Sequence, residues 1–146
     1  MQIRQLSIFL ENQPGHLISP IAILADAGLN ILTLTLADTE RFGILRLILP
    51  EWEQGQEILK KNGFTVAVSE VLAIQVEDKP GGLRELLQTI EATGVNIEYM
   101  YAFSVRAGQK AVMIFRLADI ERAIVRLREA GASILTAGEL FALTEK

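Results

Sequence analysis

The chain has 146 residues, half of them hydrophobic, and a formal net charge of −4 at pH 7. This apolar content excludes a disordered chain, and the acidic balance, with only 14 basic residues, argues against nucleic acid or an anionic membrane surface as a partner. The absence of cysteine excludes disulfides, thiolate chemistry and cysteine-ligated zinc. Half of the length is near the lower limit for independent folding, so two small units that share buried surface fit better than two separate domains.

Neither a targeting segment nor a membrane span is indicated. The first residues, Met1-Gln2-Ile3-Arg4-Gln5, do not form a basic segment that leads into a long apolar run. No stretch approaches about 18 consecutive apolar residues, the length that a transmembrane helix needs. We therefore expect a cytoplasmic protein.

The chain opens with an apolar run, a polar loop and an amphipathic segment. Residues 6–10 predict a strand that ends in the loop. Pro14 suits the first turn of a helix because its φ is already helical, and Asn12 is placed to start the turn or to cap that helix. Pro20 would remove a helical hydrogen bond, so the helix begins later or kinks there. An apolar stripe recurs at three- and four-residue spacing before Gly28 ends the helix: Leu17, Ile18, Ile21, Leu24 and Ala25.

Residues 31–37 alternate with period two, which predicts a strand with Leu32, Leu34 and Leu36 on one face. The first unit continues with a turn, a strand ended by Pro50, a helix and a short strand: residues 38–41, 42–49, 52–63 and 64–68. The predicted order of the unit is therefore strand, helix, strand, strand, helix, strand.

The second unit repeats this order. Proline, glycine and asparagine recur at one offset of 66 residues, as Pro14 and Pro80, Gly28 and Gly94, Asn30 and Asn96. After the hairpin the offset is 68, between Gly63 and Gly131, so two residues are gained, most naturally in the hairpin turn. The predicted elements are strands at 72–76, 97–105, 111–117 and 133–136, a turn at 106–109, and helices at about 83–90 and 118–130.

A third copy of the opening strand pattern occurs at residues 139–143, after Thr136-Ala137-Gly138. We interpret it as an added edge strand, exchanged between the two units or between chains. The sequence then divides into domains at residues 1–70 and 71–146, the second with the extra C-terminal strand.

The order of elements predicts an α+β fold, two ferredoxin-like βαββαβ units with antiparallel sheets and helices on one face. The central strands are apolar on both faces: Tyr99, Tyr101 and Phe103 oppose Met100 and Ala102. We therefore expect a pseudo-symmetric pair of units and a homodimer that covers the remaining apolar surface. The alternative is that the apolar run at residues 32–36 reflects an apolar-rich composition.

Two six-residue loops carry the most specific pattern. Residues 12–17 read Asn-Gln-Pro-Gly-His-Leu and residues 78–83 read Asp-Lys-Pro-Gly-Gly-Leu, and each is followed in register by Gly-x-Asn-Ile, at 28–31 and 94–97. This pattern resembles the ACT domain, a small ligand-binding module of amino-acid metabolism, in two tandem copies with no catalytic domain. The resemblance implies binding of a free amino acid, or a similar small metabolite, at the interface between two units. The implied ligand-binding residues are Asn12, Pro14, Gly15, His16, Leu17, Asn30, Ile31, Asp78, Pro80, Gly81, Gly82, Leu83, Asn96 and Ile97.

Physical chemistry supports such a site independently. A glycine beside a helix N-terminus lets backbone N–H groups approach a carboxylate, and the helix dipole favours the negative charge. Asn12 or Asp78 is placed to accept from the ligand ammonium, Asp78 with the stronger bond. His16 replaces the small Gly82 and narrows or polarises the first loop. If only one loop binds, we favour residues 78–83.

Structural explanations compete with each of these assignments. The Pro-Gly pairs also fit plain turn chemistry, and Asn30 and Asn96 also suit a turn position after glycine. His16 is the only histidine, so no metal site is expected, and no cofactor is expected either. The aromatic side chains at residues 99–103 resemble base-stacking groups, but core or interface packing fits the acidic charge better.

Three functions follow from the sequence. The first is a regulatory sensor, in which a bound amino acid shifts the packing of the units or the dimer and a partner enzyme reads the change. The second is a dimerisation or docking module that regulates a partner enzyme without a ligand. The third, a small ferredoxin-like enzyme, needs a polar constellation that the sequence lacks, so we expect a protein that is not an enzyme.

Overall fold

A computed structural model describes residues 3–38, 41–106 and 110–143. The chain forms two compact units. The first unit comprises Arg4–Ser69, and the second begins at Glu70 and also includes Ile3. Each unit is described here by its own elements.

The first unit packs two helices on one face of an antiparallel sheet with the order β2-β3-β1-β4. Its core lies between helices and sheet and contains the fully buried Leu6, Leu24 and Leu45. Its elements are β1 Ile3–Glu11, α1 Ile18–Asp26, β2 Thr33–Asp38, β3 Phe42–Ile48, α2 Trp52–Lys61 and the first part of β4 Thr65–Glu77.

The second unit repeats this arrangement with the strand order β7-β4-β6-β5. Its core again lies on the helix face and contains Leu72, Ile90 and Phe115. Its elements are the rest of β4, α3 Gly82–Ala92, β5 Ile97–Arg106, β6 Lys110–Leu117, α4 Ile120–Glu129, β7 Ser133–Leu135 and α5 Ala137–Ala142. The predicted pair of ferredoxin-like βαββαβ units is confirmed.

The repeat extends to the helix ends. α1 and α3 are each followed by a glycine with positive φ, +75° at Gly28 and +74° at Gly94. An L side chain rarely adopts this conformation, and it turns the chain so that the Gly28 N–H reaches the Ala25 carbonyl at 2.9 Å. The predicted glycine stop of α1 is confirmed, and Gly94 follows α3 in the same conformation.

One proline prediction for the first helix is confirmed, the late start at Pro20, and one is wrong, the placement of Pro14 in the first helical turn. α1 begins at Ile18, with Leu17 as its N-cap and no side-chain cap bond, so Pro14 lies in a turn before the helix and Asn12 does not cap it. Pro20 is then the third helical residue, where a backbone N–H would have no intrahelical partner. Its position explains the late start, because a helix that began at His16 would need an N–H at residue 20.

The predicted strands at 64–68 and 72–76 form one strand, Thr65–Glu77. No glycine or proline separates them, so nothing in the sequence turns the chain there. The strand passes through the boundary between the two units at residues 69 and 70.

The predicted C-terminal strand at residues 139–143 is wrong: this segment is the helix α5. Thr136 and Glu139 form a capping box, with the Glu139 N–H donating to Thr136 Oγ1 at 3.1 Å and the Thr136 N–H donating to Glu139 Oε1 at 3.2 Å. These two bonds satisfy backbone donors that only a helix start leaves free. Leu140 is fully buried in this helix.

β2 and β5 are edge strands rather than the central strands that the sequence analysis assumed. Leu34 and Leu36 are accordingly 47% and 39% exposed. The sheet face opposite the helices nevertheless contains fully buried side chains, Val112 and Ile114, as the apolar pattern on both faces predicts.

The two extra residues of the second unit lie at the hairpin turn. The segment between the paired Ser104 and Ala111 is two residues longer than the segment between the paired Asp38 and Gly43. Parts of both predicted turns, residues 39–40 and 107–109, lie outside the described residues. In the described ranges, no helix is long and apolar enough to cross a membrane.

Candidate functional site

The loops at residues 12–17 and 78–83 share one backbone conformation. Each is closed by the same two hydrogen bonds at positions 66 residues apart. Gly15 and Gly81 also match, with φ values of +83° and +90°. The equivalent bonds run from the Gln13 N–H to the Glu11 carbonyl (3.0 Å) and from Lys79 to Glu77 (2.9 Å), then from His16 to Gln13 (3.2 Å) and from Gly82 to Lys79 (3.1 Å).

The loops differ in the side chain at their fifth position. A Cβ atom on Gly82 would lie 2.5 Å from the Glu77 carbonyl oxygen, so only glycine fits at this position of the second loop. His16 holds the same position in the first loop, and its Nδ1 lies 2.6 Å from the Gln13 carbonyl oxygen. A carbonyl only accepts hydrogen bonds, so Nδ1 carries the proton and the ring is fixed against its own loop.

The second loop leads directly into the start of α3. The first backbone bond into α3 is donated by Glu85 to the Gly81 carbonyl, and in the described part of the chain the N–H groups of Leu83 and Arg84 have no acceptor. A guanidinium nitrogen of Arg84 lies 3.7 Å from the Cβ position of Gly81. Free N–H groups, the helix dipole and this cation all favour a carboxylate. The third helical residue of α1 is Pro20, which offers no N–H.

A hollow of about 310 Å³, here the β5 cleft, opens between the second loop and the end of β5. Its floor consists of two rows of paired residues across the sheet, Met113–Ala102 and Val76–Ala111–Ser104. Ala102, Ser104 and Ala111 are small, which leaves space beneath Leu83 of α3. The lining comprises residues 76–79, Leu83, Ala102, Phe103, Ser104, Ala111 and Met113.

The same two rows exist in the first unit with larger side chains. Strand pairing makes Leu36 the equivalent of Ala102, and Gly43 the equivalent of Ala111. Above Gly43, the Leu36 Cδ1 atom lies 3.5 Å and the His16 Cδ2 atom 3.9 Å from the position of a Cβ atom. The space that is open in the second unit is therefore occupied in the first by Leu36 and His16.

Charged groups cluster at the mouth of the β5 cleft. Asp78 is exposed at the rim, and Lys79 Nζ forms an ion pair with Glu77 Oε2 at 2.7 Å. This hydrogen bond and the lysine charge lower the pKa of the Glu77 carboxyl, while Glu77 raises the pKa of Lys79. Both stay charged near neutral pH and offset one another, so Asp78 supplies the free negative charge of the loop.

A second hollow of about 360 Å³ lies on the other side of the same loop, between α3 and residues 130–132. Glu85 and Thr89 line it, and the Thr89 hydroxyl already donates to the Glu85 carbonyl at 3.2 Å. Asp78 does not line this hollow, and its carboxylates come from Glu77 and Glu85 instead.

A sequence profile of the ACT domain pair matches residues 1–142 of the chain. The chain belongs to this family. A solved protein from Bacteroides thetaiotaomicron is 35% identical to this ACT domain pair, with a TM-score of 0.90 over 97% of this chain and 96% of that one. A search of curated protein sequences returned no match.

More distant ACT-type structures share the fold. The ligand-free regulatory subunit of aspartate kinase from Thermus thermophilus has 15% identity and a TM-score of 0.68, and it covers 90% of this chain and 92% of its own. The regulatory subunit from Thermus flavus has 16% identity and a TM-score of 0.63, with 99% and 94% covered. At these identities the likeness extends to the fold of the ACT domain pair.

The structure divides the fourteen predicted site residues of this ACT domain pair into two groups within each unit. Residues 12–17 lie beside the β2–β3 hairpin, because the Asn12 N–H donates to the Arg41 carbonyl at 2.9 Å. Asn30 and Ile31 lie at the opposite end of the same sheet, before the bond from the Leu32 N–H to the Ile48 carbonyl. The two ends are about 20 Å apart along the strand.

The second ACT unit is divided in the same way. Residues 78–83 lie by the pair Glu77 and Lys110, and Asn96 lies at the other end of β6, where its carbonyl accepts from the Ala118 N–H at 3.0 Å. Ile97 is paired with Leu117 at that end and packs on the core. Within one unit, the asparagines and the loop therefore do not form a single site.

Four residues on the floor of the β5 cleft in this ACT domain pair were not predicted from the sequence: Ala102, Ser104, Ala111 and Met113. A signal was present, because Ala102 and Ser104, at alternate positions of β5, replace Leu36 and Asp38 of β2. Only the strand register shows that these positions share a face with the loop. Among the described residues, no group of three or more His, Asp or Glu side chains is placed to hold a metal ion.

Proposed function

We propose that this ACT domain pair is a regulatory protein that binds a free α-amino acid beside residues 78–83 and catalyses no reaction. The proposal includes two ACT-like domains, residues 1–70 and 71–146, and a ligand site at an interface between ACT-like units. It also includes a homodimer whose change of state is read by a partner enzyme. The observation that carries it is the β5 cleft, in which one carboxylate and a free helix N-terminus adjoin an apolar floor.

Each group of an amino acid has a chemically matched counterpart there. The ligand carboxylate suits the N–H groups of Leu83 and Arg84 at the start of α3, an 11-residue helix. The ligand ammonium suits Asp78, which lines the same cleft. At about 310 Å³ the cleft is near the lower end of the range of about 300–1,000 Å³ for small-molecule sites, which favours a small metabolite over a large cofactor.

The deciding experiment is a thermal-unfolding panel with each common amino acid at millimolar concentration. A ligand that binds only the folded protein stabilises it by mass action, by about 2.7 kcal/mol at one hundred times its Kd. We expect at least one amino acid to raise the Tm, and we expect Asp78→Ala to abolish that rise. Asn12→Ala, the equivalent change in the first loop, is the matched control and should leave the rise unchanged. A panel without any Tm rise would contradict the proposal.

The second candidate function is a dimerisation or docking module that regulates a partner enzyme without a ligand. It is favoured by exposed apolar side chains of the first unit, among them Phe9, Leu34, Leu36 and Phe42. Tight self-association in analytical ultracentrifugation, together with no amino-acid response, supports this function over the first.

A further inference from the structure

In the first unit, the Leu36 side chain lies at the position that is equivalent to the proposed ligand position in the second unit. Leu36 occupies the row position of Ala102, and its Cδ1 atom reaches over Gly43, the equivalent of Ala111. Replacement of leucine by alanine at this position removes an isopropyl group from the helix side of the sheet. The β5 cleft is thus, in part, the volume that Leu36 fills in the other unit.

We infer that the β5 cleft takes an α-amino acid with an apolar side chain about the size of leucine, and that each chain binds one such molecule. This inference rests on the proposed function and adds the class of side chain and the number of sites. Leu36 shows, within the same protein, which kind of group this surface accommodates. The ligand side chain would lie over Ala102 and Ala111 as Leu36 lies over Gly43.

The lining favours an apolar side chain over a charged one. Val76, Leu83, Ala102, Ala111 and Met113 supply carbon surface, and Ser104 is the polar residue of the floor. The charged groups at the mouth of the cleft already have partners. Lys79 forms an ion pair with Glu77 at 2.7 Å, and Asp78 is the proposed partner of the ligand ammonium. A second charge on the ligand would enter the cleft without a partner, which is unfavourable.

The first unit cannot offer an equivalent site, for two reasons. Leu36 and His16 fill the space above Gly43. The His16 ring is also bound to the Gln13 carbonyl, so it does not move freely out of the way. One site per chain follows.

Isothermal titration of the full chain with leucine, methionine, glycine, aspartate and lysine tests this inference. We expect leucine and methionine to bind at one molecule per chain, and at least about tenfold more tightly than glycine, because their side chains bury apolar surface in the cleft and glycine has none to bury. Aspartate and lysine should bind more weakly than glycine or not at all.

Two substitutions give the second unit the residues of the first. Ala102→Leu should fill the cleft, and Ser104→Asp, which copies Asp38, should place a charge on its floor. Each is expected to weaken leucine binding at least about tenfold. Leu36→Ala is the matched control and should leave the affinity of the bound leucine unchanged. Residues 102 and 104 are exposed, and the first unit has Leu36 and Asp38 at these row positions, so both variants should unfold at the urea midpoint of the parent.

The outcomes separate this inference from the proposed function. If a charged or small polar amino acid binds tightly and this binding is lost in Asp78→Ala, the proposed function is retained. The inference that the ligand has an apolar side chain is then overturned. Two leucines per chain, or full leucine affinity in a folded Ala102→Leu protein, would also overturn the inference. Failure of every amino acid to bind would overturn both.

Discussion

The two halves of this chain share an order of elements and a loop geometry but have different surfaces. Their loops share two equivalent hydrogen bonds and a left-handed glycine, yet the β5 cleft of the second unit is open and its counterpart in the first is filled. Two replacements account for the difference: Ala102 for Leu36 and Gly82 for His16. In a duplicated fold, backbone geometry is retained while a few side chains decide whether a loop can bind.

The largest expected effect concerns an element that distinguishes the halves, the helix α5. Leu140→Ala should lower the free energy of unfolding by about 2–5 kcal/mol, because Leu140 is fully buried and its truncation leaves a cavity. Urea denaturation followed by circular dichroism measures this. Val125→Ala, at a position 58% exposed on α4, is the control and should change stability little. Equal stability of the two variants would show that α5 is not part of the cooperative fold.

The next largest effect is a loss of stability on substitution of Gly82 in the second loop. Gly82→Ala should destabilise the protein by about 1–3 kcal/mol, because its Cβ would approach the Glu77 carbonyl oxygen to 2.5 Å and the backbone would have to shift. Gly138→Ala, in α5, has no protein atom closer than 4.0 Å to the added Cβ and should be neutral or stabilising. Urea midpoints that fall equally for both variants would contradict the close approach.

A smaller effect is expected from the exchange of the first residue between the loops. Asp78→Asn, which copies Asn12, should weaken binding of the stabilising amino acid about tenfold, because a charge-assisted bond becomes a neutral one. Titration calorimetry measures the change. Asp26→Asn removes the same charge from an exposed position at the end of α1 and should leave the affinity unaltered. Similar losses in both variants would point to a general charge effect rather than to a contact.

The smallest expected effect is electrostatic. Lys79→Gln, which copies Gln13, should raise the pKa of Glu77 back toward its ordinary value, because the lysine hydrogen bond and charge now lower it. A carboxyl with a lowered folded pKa stabilises the protein above its unfolded pKa, and this contribution is lost as the pH falls through the folded pKa. NMR titration of the Glu77 carboxyl should show the shift, with Glu57, paired to Lys61, as an internal reference. An unchanged Glu77 titration would mean that the ion pair is not populated in solution.

Much of the fold could be predicted because its signals are local. The glycine stop at residue 28 and the apolar stripes of the helices depend on residues close in sequence, so both were identified. The errors also had local causes. Thr136 and Glu139 form a capping box that outweighs the strand-like composition of residues 139–143, and the absence of a turn residue after Val68 lets β4 continue.

The site was predictable only in part. The loop at residues 78–83 and its asymmetry with residues 12–17 follow from two aligned copies in one sequence. The floor of the β5 cleft does not, because Ala102 and Met113 are far from the loop in the chain and reach it through strand register. The separation of Asn96 from the loop has the same origin, since the two lie at opposite ends of β6.

The sequence by itself determined the duplication, the βαββαβ order and the position of each loop at a helix start, because periodicity and turn residues act over a few neighbouring positions. The tertiary structure alone decided which hollow is open. That outcome depends on which side chains meet across three strands and a helix, where the carbon atoms of Leu36 and His16 occupy the space that Ala102 and Gly82 leave free.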